Sequence, residues 1–139
     1  MTEQDHTFHK RVRVYYEHTD AGGVVYHANY LNFMERCRCD WLEEMGWGVV
    51  RMQQETGIMW VVHEINIQYH NPARLFEDLD VRCRALQVGK VSLLVEQKIY
   101  NKEHLLCTAT LKLATLDATS FKLAAMPKQL KQMLAKCIE

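Results

Sequence analysis

A carboxylate, two adjacent glycines and a histidine fall within one short stretch, Tyr16-Glu17-His18-Thr19-Asp20-Ala21-Gly22-Gly23-Val24-Val25-Tyr26-His27. An aspartate so placed can attack a carbonyl directly or take a proton from a water that does. A histidine at a helix start can orient water or substrate, and the free backbone N–H groups there can hold the negative charge that develops on an oxygen. The same residues have plainer readings. Asp-x-Gly-Gly is ordinary turn chemistry, a histidine in a first helical turn can simply be solvated, and Tyr16 can be a core or interface aromatic.

Other chemistry-bearing residues form no such set. Cys37 and Cys39 lie two apart in a helical pattern, about 200° around the axis, so they cannot converge on one metal or one base. His6 and His9 fall in a polar stretch expected to be solvated. His63 occupies the apolar phase of a strand, where it reads as a core histidine or as a residue facing a partner's pocket. Arg74 and Lys90 sit in turn segments, either as solvated charges or as contacts for phosphate groups. No metal site is expected.

The elements that must position Asp20 and His27 follow from periodicity. Lys10 to Glu17, rich in valine and tyrosine, predicts a strand leading into the turn. From Tyr26 to Met45 the residues Tyr30, Phe33, Met34, Cys37, Trp41, Leu42 and Met45 recur at helical spacing and predict one amphipathic helix of about five turns. Gly46 and Gly48 end it, and Val49 to Glu55 predicts a short second helix. Val61 to Tyr69 alternates, with Val61, His63, Ile65, Ile67 and Tyr69 expected to face a core. Leu79 to Val88 and Val91 to Tyr100 form a hairpin about Gly89-Lys90, Leu105 to Leu116 gives a last strand, and a short amphipathic helix follows Pro127. The order predicts an α+β domain in which an antiparallel meander covers one long helix.

The 139 residues fit a single domain, 1–139, with 1–9 expected to be flexible; 48% are apolar, enough to supply its core. Seventeen basic residues balance seventeen acidic ones, so global charge gives no nucleic-acid footprint. No apolar run approaches the ~20 residues of a membrane span, and the five cysteines lie within apolar patterns as free thiols would in a reducing compartment. A cytoplasmic location is therefore expected.

The run Y-x-x-T-D-x-x-G-V-V-Y-H-x-x-Y-L over Tyr16 to Leu31, with Glu35-Arg36, Trp41-Leu42, Tyr69-His70-Asn71-Pro72-Ala73-Arg74 and the Gly89-Lys90 hairpin, resembles the hotdog-fold acyl-CoA thioesterases of the 4-hydroxybenzoyl-CoA type. The likeness is greatest to their YbgC branch, associated with the bacterial Tol-Pal system. The resemblance implies a hotdog fold with a five- to six-stranded antiparallel sheet around a long helix. It also implies homodimers joined sheet edge to sheet edge, pairing into homotetramers, with active sites at the dimer interface. It assigns Asp20, His27 and Tyr16 to catalysis and Gly23, Tyr26, His63, Arg74, Gly89 and Lys90 to substrate binding. The substrate would be an acyl-CoA, with coenzyme A entering as part of it and no separate cofactor. Acyl carrier protein and a membrane surface are further partners it allows. Two departures stand out: His18 where many relatives carry an acidic residue, and Cys37 and Cys39 in place of small residues. Two rival readings remain, a hotdog hydratase or dehydratase and a non-catalytic acyl-thioester-binding module.

Overall fold

A helix with one apolar stripe and strands with one apolar face each must bury them, and here they bury them against one another. In the computed structural model, which describes residues 6–138, the chain runs β1 (Phe8–Arg13), a 3-10 turn (Tyr16–His18), α1 (His27–Glu44), α2 (Val49–Thr56), β2 (Ile58–Tyr69), β3 (Asp78–Val88), β4 (Ser92–Asn101), β5 (His104–Asp117) and α3 (Lys128–Ile138). The five strands form one antiparallel sheet in the order β1-β3-β4-β5-β2.

Register places the inward residues in rows. Val81, Ile99 and Cys107 lie opposite one another across β3, β4 and β5, as do Ala85, Val95 and Leu111, and all six are buried. Residues directly opposite in an antiparallel pair share a face, so these rows form a continuous floor. Phe33, Met34 and Cys37 of α1, each with no exposed surface, pack onto it. β3, β4 and β5 form the meander that the sequence predicts, but β2 crosses over to lie beside β5 and β1 lies beside β3; α1 matches its predicted span to one residue at each end.

Two strands differ from expectation. β1 begins at Phe8 and ends at Arg13, so it takes in Phe8 and His9 from the stretch expected to be flexible, of which residues 1–5 lie outside the described residues. It stops short of Glu17 because the Tyr15 N–H donates to His18 Nδ1 (2.9 Å) and the chain curls into the 3-10 turn. In β2 the ladder shifts between Val62 and Glu64, leaving His63 as the extra residue of a bulge. The bulge switches the alternation. Trp60 and Val62 lie opposite Thr115 and Leu113, and Ile65, Ile67 and Tyr69 lie opposite Leu111, Ala109 and Cys107, so Val61 is on the other face from Ile65.

β2 is also less covered than its pattern predicts. It is an edge strand, and Val62, Ile65 and Tyr69 on its inner face are 44%, 40% and 46% exposed. His63 is exposed, not a core histidine.

Candidate active site

The Asp20 loop is built largely from backbone bonds. Asp20 N–H donates to the Val24 carbonyl (2.9 Å) and Gly23 N–H to the Asp20 carbonyl (3.0 Å), closing a tight turn. Gly23 has φ +81°, a conformation that a β-branched side chain strongly resists. Asp20 Oδ1 accepts the Gly22 N–H (2.8 Å), which is the turn role open to any aspartate here, yet Oδ2 has no protein partner among the described residues and the side chain is exposed. The turn bond therefore orients the carboxylate without consuming it.

The loop is moored to the sheet and helix by residues whose part the sequence did not disclose. His18 is buried at 5% exposure, its ring edge-on to Phe33 (5.0 Å). Because Nδ1 accepts the Tyr15 N–H, its proton sits on Nε2. The His18 carbonyl accepts from the Tyr26 N–H (2.9 Å) and from Asn29 Nδ2 (2.9 Å), fixing where α1 begins. His18 is thus a mooring residue turned away from the loop surface. Tyr69 is a second mooring: its hydroxyl donates to the His27 carbonyl (3.0 Å), tying the end of β2 to the start of α1.

His27 opens α1, exposed, with its ring against that of Tyr26 (4.4 Å between centroids), itself half-exposed. The N–H groups of the first helical turn have no intrahelical acceptor. No hydrogen bond or ion pair joins Asp20 to His27 among the described residues; they share a loop, not a contact. Tyr16 is 82% exposed in the 3-10 turn and not on a strand, its carbonyl accepting from the Thr19 hydroxyl (2.8 Å). Arg74 comes close to the loop, because Val24 pairs with Arg74 in an isolated bridge and Val25 N–H donates to the Ala73 carbonyl (2.9 Å). The sequence held no local signal for this, since the bridge joins residues fifty positions apart.

His63, Gly89 and Lys90 are at the opposite end. The Asp20 loop lies beside the start of β3, whereas Gly89 and Lys90 follow its last residue, about 33 Å away at 3.3 Å per residue. The Gly89 N–H donates to the Ser92 carbonyl (2.8 Å), and a Cβ at Gly89 would stand 2.6 Å from Ser92 Oγ. A cleft of about 350 Å³ joins His63 to this hairpin through Gln87, Val91 and Ser92, with Lys112 at its side. A second cavity, of about 140 Å³, opens between α1, α2 and the Ile58 end of β2, with Arg38, Trp41 and Trp60 in its wall. Met34 is core, Trp41 is both core and cavity wall, and Trp60 lines the cavity with its Nε1 buried and without a partner among the described residues.

The thiols take no part in this chemistry. Burial pushes Cys37 and Cys107 up to about 12 and Cys83 well above its ordinary value. Cys37 Sγ is directed at the Val81 carbonyl (3.4 Å) while Cys39 lines the small cavity, so the two diverge as their spacing predicts. His9 Nδ1 lies 3.0 Å from Asp80, so it is paired and not merely solvated. Among the described residues no group of histidines, cysteines and carboxylates could hold a metal, and no helix is long and apolar enough to cross a membrane.

Comparison with known proteins places this geometry. The model of the thioesterase-like superfamily matches residues 14–134. An acyl-CoA thioesterase, YbgC, of Haemophilus influenzae is 39% identical over 127 residues, covering 91% of this chain and 93% of that protein. The acyl-CoA thioester hydrolase YbgC of Escherichia coli is 38% identical over 120 residues, covering 86% and 89%. Among solved structures, a probable thioesterase from Bartonella henselae superposes with a TM-score of 0.82 at 29% identity, covering 87% of this chain and 99% of that one.

Proposed function

The chain belongs to the thioesterase-like superfamily and has its hotdog fold, and on that premise we propose that it hydrolyses acyl-CoA thioesters, with Asp20 as the reacting carboxylate. The observation that carries this reading is the state of Asp20: exposed, oriented through Oδ1 by the Gly22 N–H, and free at Oδ2. As general base, Asp20 takes a proton from water as the water oxygen bonds to the thioester carbon. As nucleophile, it forms a mixed anhydride that water then opens, regenerating the carboxylate. In both routes the carbonyl oxygen gains charge facing the N–H groups at the start of α1, and the C–S bond breaks to release coenzyme A as a thiolate that takes up a proton. His27 orients water or substrate, and Tyr16 supplies an accessory hydroxyl. Arg74, without an ion-pair partner among the described residues, suits a phosphate of coenzyme A.

A site assembled from two copies explains the residues that one chain keeps apart. β2 is unpaired along one edge and nearly half exposed at Val62, Ile65 and Tyr69 on its inner face, a combination that soluble proteins cover. Antiparallel pairing of β2 with β2 of a second copy lays the Tyr69 end of one against the Ile58 end of the other. Since Tyr69 is tied to His27, this brings Asp20 and His27 of one copy toward His63 and the Gly89-Lys90 hairpin of the other. Gly23, Tyr26 and Arg74 then line the site from one copy, and His63, Gly89 and Lys90 from the other.

The test is steady-state hydrolysis across aliphatic and aromatic acyl-CoAs, read as released thiol. Turnover of at least part of the panel is expected. Absence of turnover on every member, by a folded dimer, overturns the assignment in favour of a binding module.

A further inference from the structure

The wall of the smaller cavity contains a charge with no ion-pair partner among the described residues. Arg38 projects from the fourth turn of α1 and is only 9% exposed. Its one protein acceptor among the described residues is neutral: Nη1 donates to Gln97 Oε1 (2.8 Å), and Gln97, fully buried, donates from Nε2 to the Met34 carbonyl (3.0 Å). That second bond fixes the amide so that its oxygen faces the guanidinium. No carboxylate of the described residues lies within ion-pair distance of Arg38. Glu35, three residues earlier on α1, stands at the rim of the same cavity, exposed and unpaired with it.

The rest of the guanidinium is not sealed off, and Arg38 lines the cavity. Trp60 Nε1 is the single buried side-chain donor or acceptor without a partner among the described residues, so the Arg38 nitrogens that make no protein hydrogen bond retain accessible surface. Around them the wall is apolar, from Trp41, Leu42, Leu93 and Leu113. Burial pushes the Arg38 pKa down, and Glu35 at the rim offsets this only in part. A guanidinium does not shed its proton at physiological pH, so relief must come from an anion or from water, and its planar fork matches a carboxylate.

We propose that this cavity receives the far end of the acyl group and that Arg38 selects acyl groups ending in a carboxylate. The proposal rests on the thioesterase reading and on the two-copy site, because Arg38 lies eleven residues, about 16 Å, along α1 from its own His27. The cavity opens at the Ile58 end of β2, the end that antiparallel pairing brings to the other copy's Asp20. Its volume of about 140 Å³ is close to that of an apolar cavity that accepts benzene, which sets a tail of about six heavy atoms beyond the thioester carbonyl. A glutaryl tail, three methylenes and a carboxylate, has that size. Glu35 at the rim disfavours an anion held at the surface, so the carboxylate must reach the guanidinium within.

The experiment compares kcat/KM of the full-length protein for glutaryl-CoA and for 5-methylhexanoyl-CoA, whose branched methyl groups replace the two carboxylate oxygens atom for atom. A preference for glutaryl-CoA of at least about 10-fold is expected from one desolvated, charge-assisted contact. Arg38→Met keeps length and apolar packing without the charge, and should bring the ratio to one or below. Hydrolysis of 5-methylhexanoyl-CoA as fast as glutaryl-CoA by the wild type overturns the proposal and leaves the thioesterase reading standing, whether or not the variant folds. A folded Arg38→Met protein that keeps the preference also overturns it. Turnover of neither ester, nor of any other acyl-CoA, overturns the thioesterase reading itself.

Discussion

Replacing Asp20 by asparagine separates what this residue does for the loop from what it does for the reaction. The asparagine oxygen can accept the Gly22 N–H as Asp20 Oδ1 does, and the other bonds of the turn, Asp20 N–H to Val24 and Gly23 N–H to Asp20, are backbone bonds that the exchange leaves intact. The site is exposed, so the change in stability should stay within about 0.5 kcal/mol. Loss of a general base typically removes about 10²–10⁴ in rate, or about 2.7–5.4 kcal/mol of barrier. The two effects differ by several-fold in energy, so one melting curve and one set of kinetics decide between them. The expected outcome is an unchanged Tm, a KM within a few-fold, and a kcat lower by at least about 100-fold in a thiol-release assay. Asp20→Ala should lose the turn bond as well, at a further cost of about 1 kcal/mol in stability, with no larger loss of turnover. A kcat for Asp20→Asn within a few-fold of wild type, on a protein that melts normally, refutes the assignment of Asp20.

Ile65→Lys places a charge on the half-exposed inner face of β2 and should yield a folded monomer by light scattering with little activity; a fully active monomer would rule out the two-copy site. Gly23→Val meets no neighbouring atom within 4 Å but must hold φ +81°, so its strain of about 1–3 kcal/mol should reshape the turn and lower kcat while the domain stays folded. Unchanged kinetics and Tm in that variant would show that the turn tolerates a side chain. Aromatic disulfide reagents at pH 8 should label Cys39 and Cys137 first, because Cys37 and Cys107, pushed up to about 12, hold only about 10⁻⁴ of their thiol as thiolate and are buried besides. Rapid reaction of all five in the folded protein would contradict the packing described.

How much of this was legible in the sequence depended on whether the deciding contact was local. α1 was readable because Tyr30, Phe33, Cys37 and Trp41 record its buried face at helical spacing, and Gly46 records its end. The β3–β4 hairpin was equally plain from its alternation and its glycine turn. The bulge at His63 was not, because an extra residue in an apolar run leaves alternation that can be read in either phase. His18 stands out in the sequence only as a departure from an acidic residue; its packing against Phe33 is a contact made once the chain turns at Tyr15. Arg74, Tyr69 and Arg38 act through partners 42 to 59 residues away, or across a loop-to-loop bridge, and no spacing rule links them in advance.

The exposed face of β2 and the division of the site residues between two ends of the sheet have one physical origin. A strand buried on one face alternates with polar residues only where another element covers that face, and α1 covers the floor made by β3, β4 and β5. Beyond β5 the cover thins: α1 reaches β2 at Tyr69, through His27 and Tyr30, and Val62, Ile65 and Tyr69 keep an apolar side that is nearly half exposed. Such a face is costly in water at about 25 cal/mol per Å², and the free backbone groups of the edge invite another strand. A twofold axis through an antiparallel β2 pair satisfies both demands at once. It would also invert the sheet, and so carry a hairpin about 33 Å from its own Asp20 toward the Asp20 of the other copy. On the proposed two-copy site, the pairing that removes the exposed face is also the pairing that completes the cleft, so a variant that abolishes pairing should abolish turnover without altering Asp20, His27 or Tyr16.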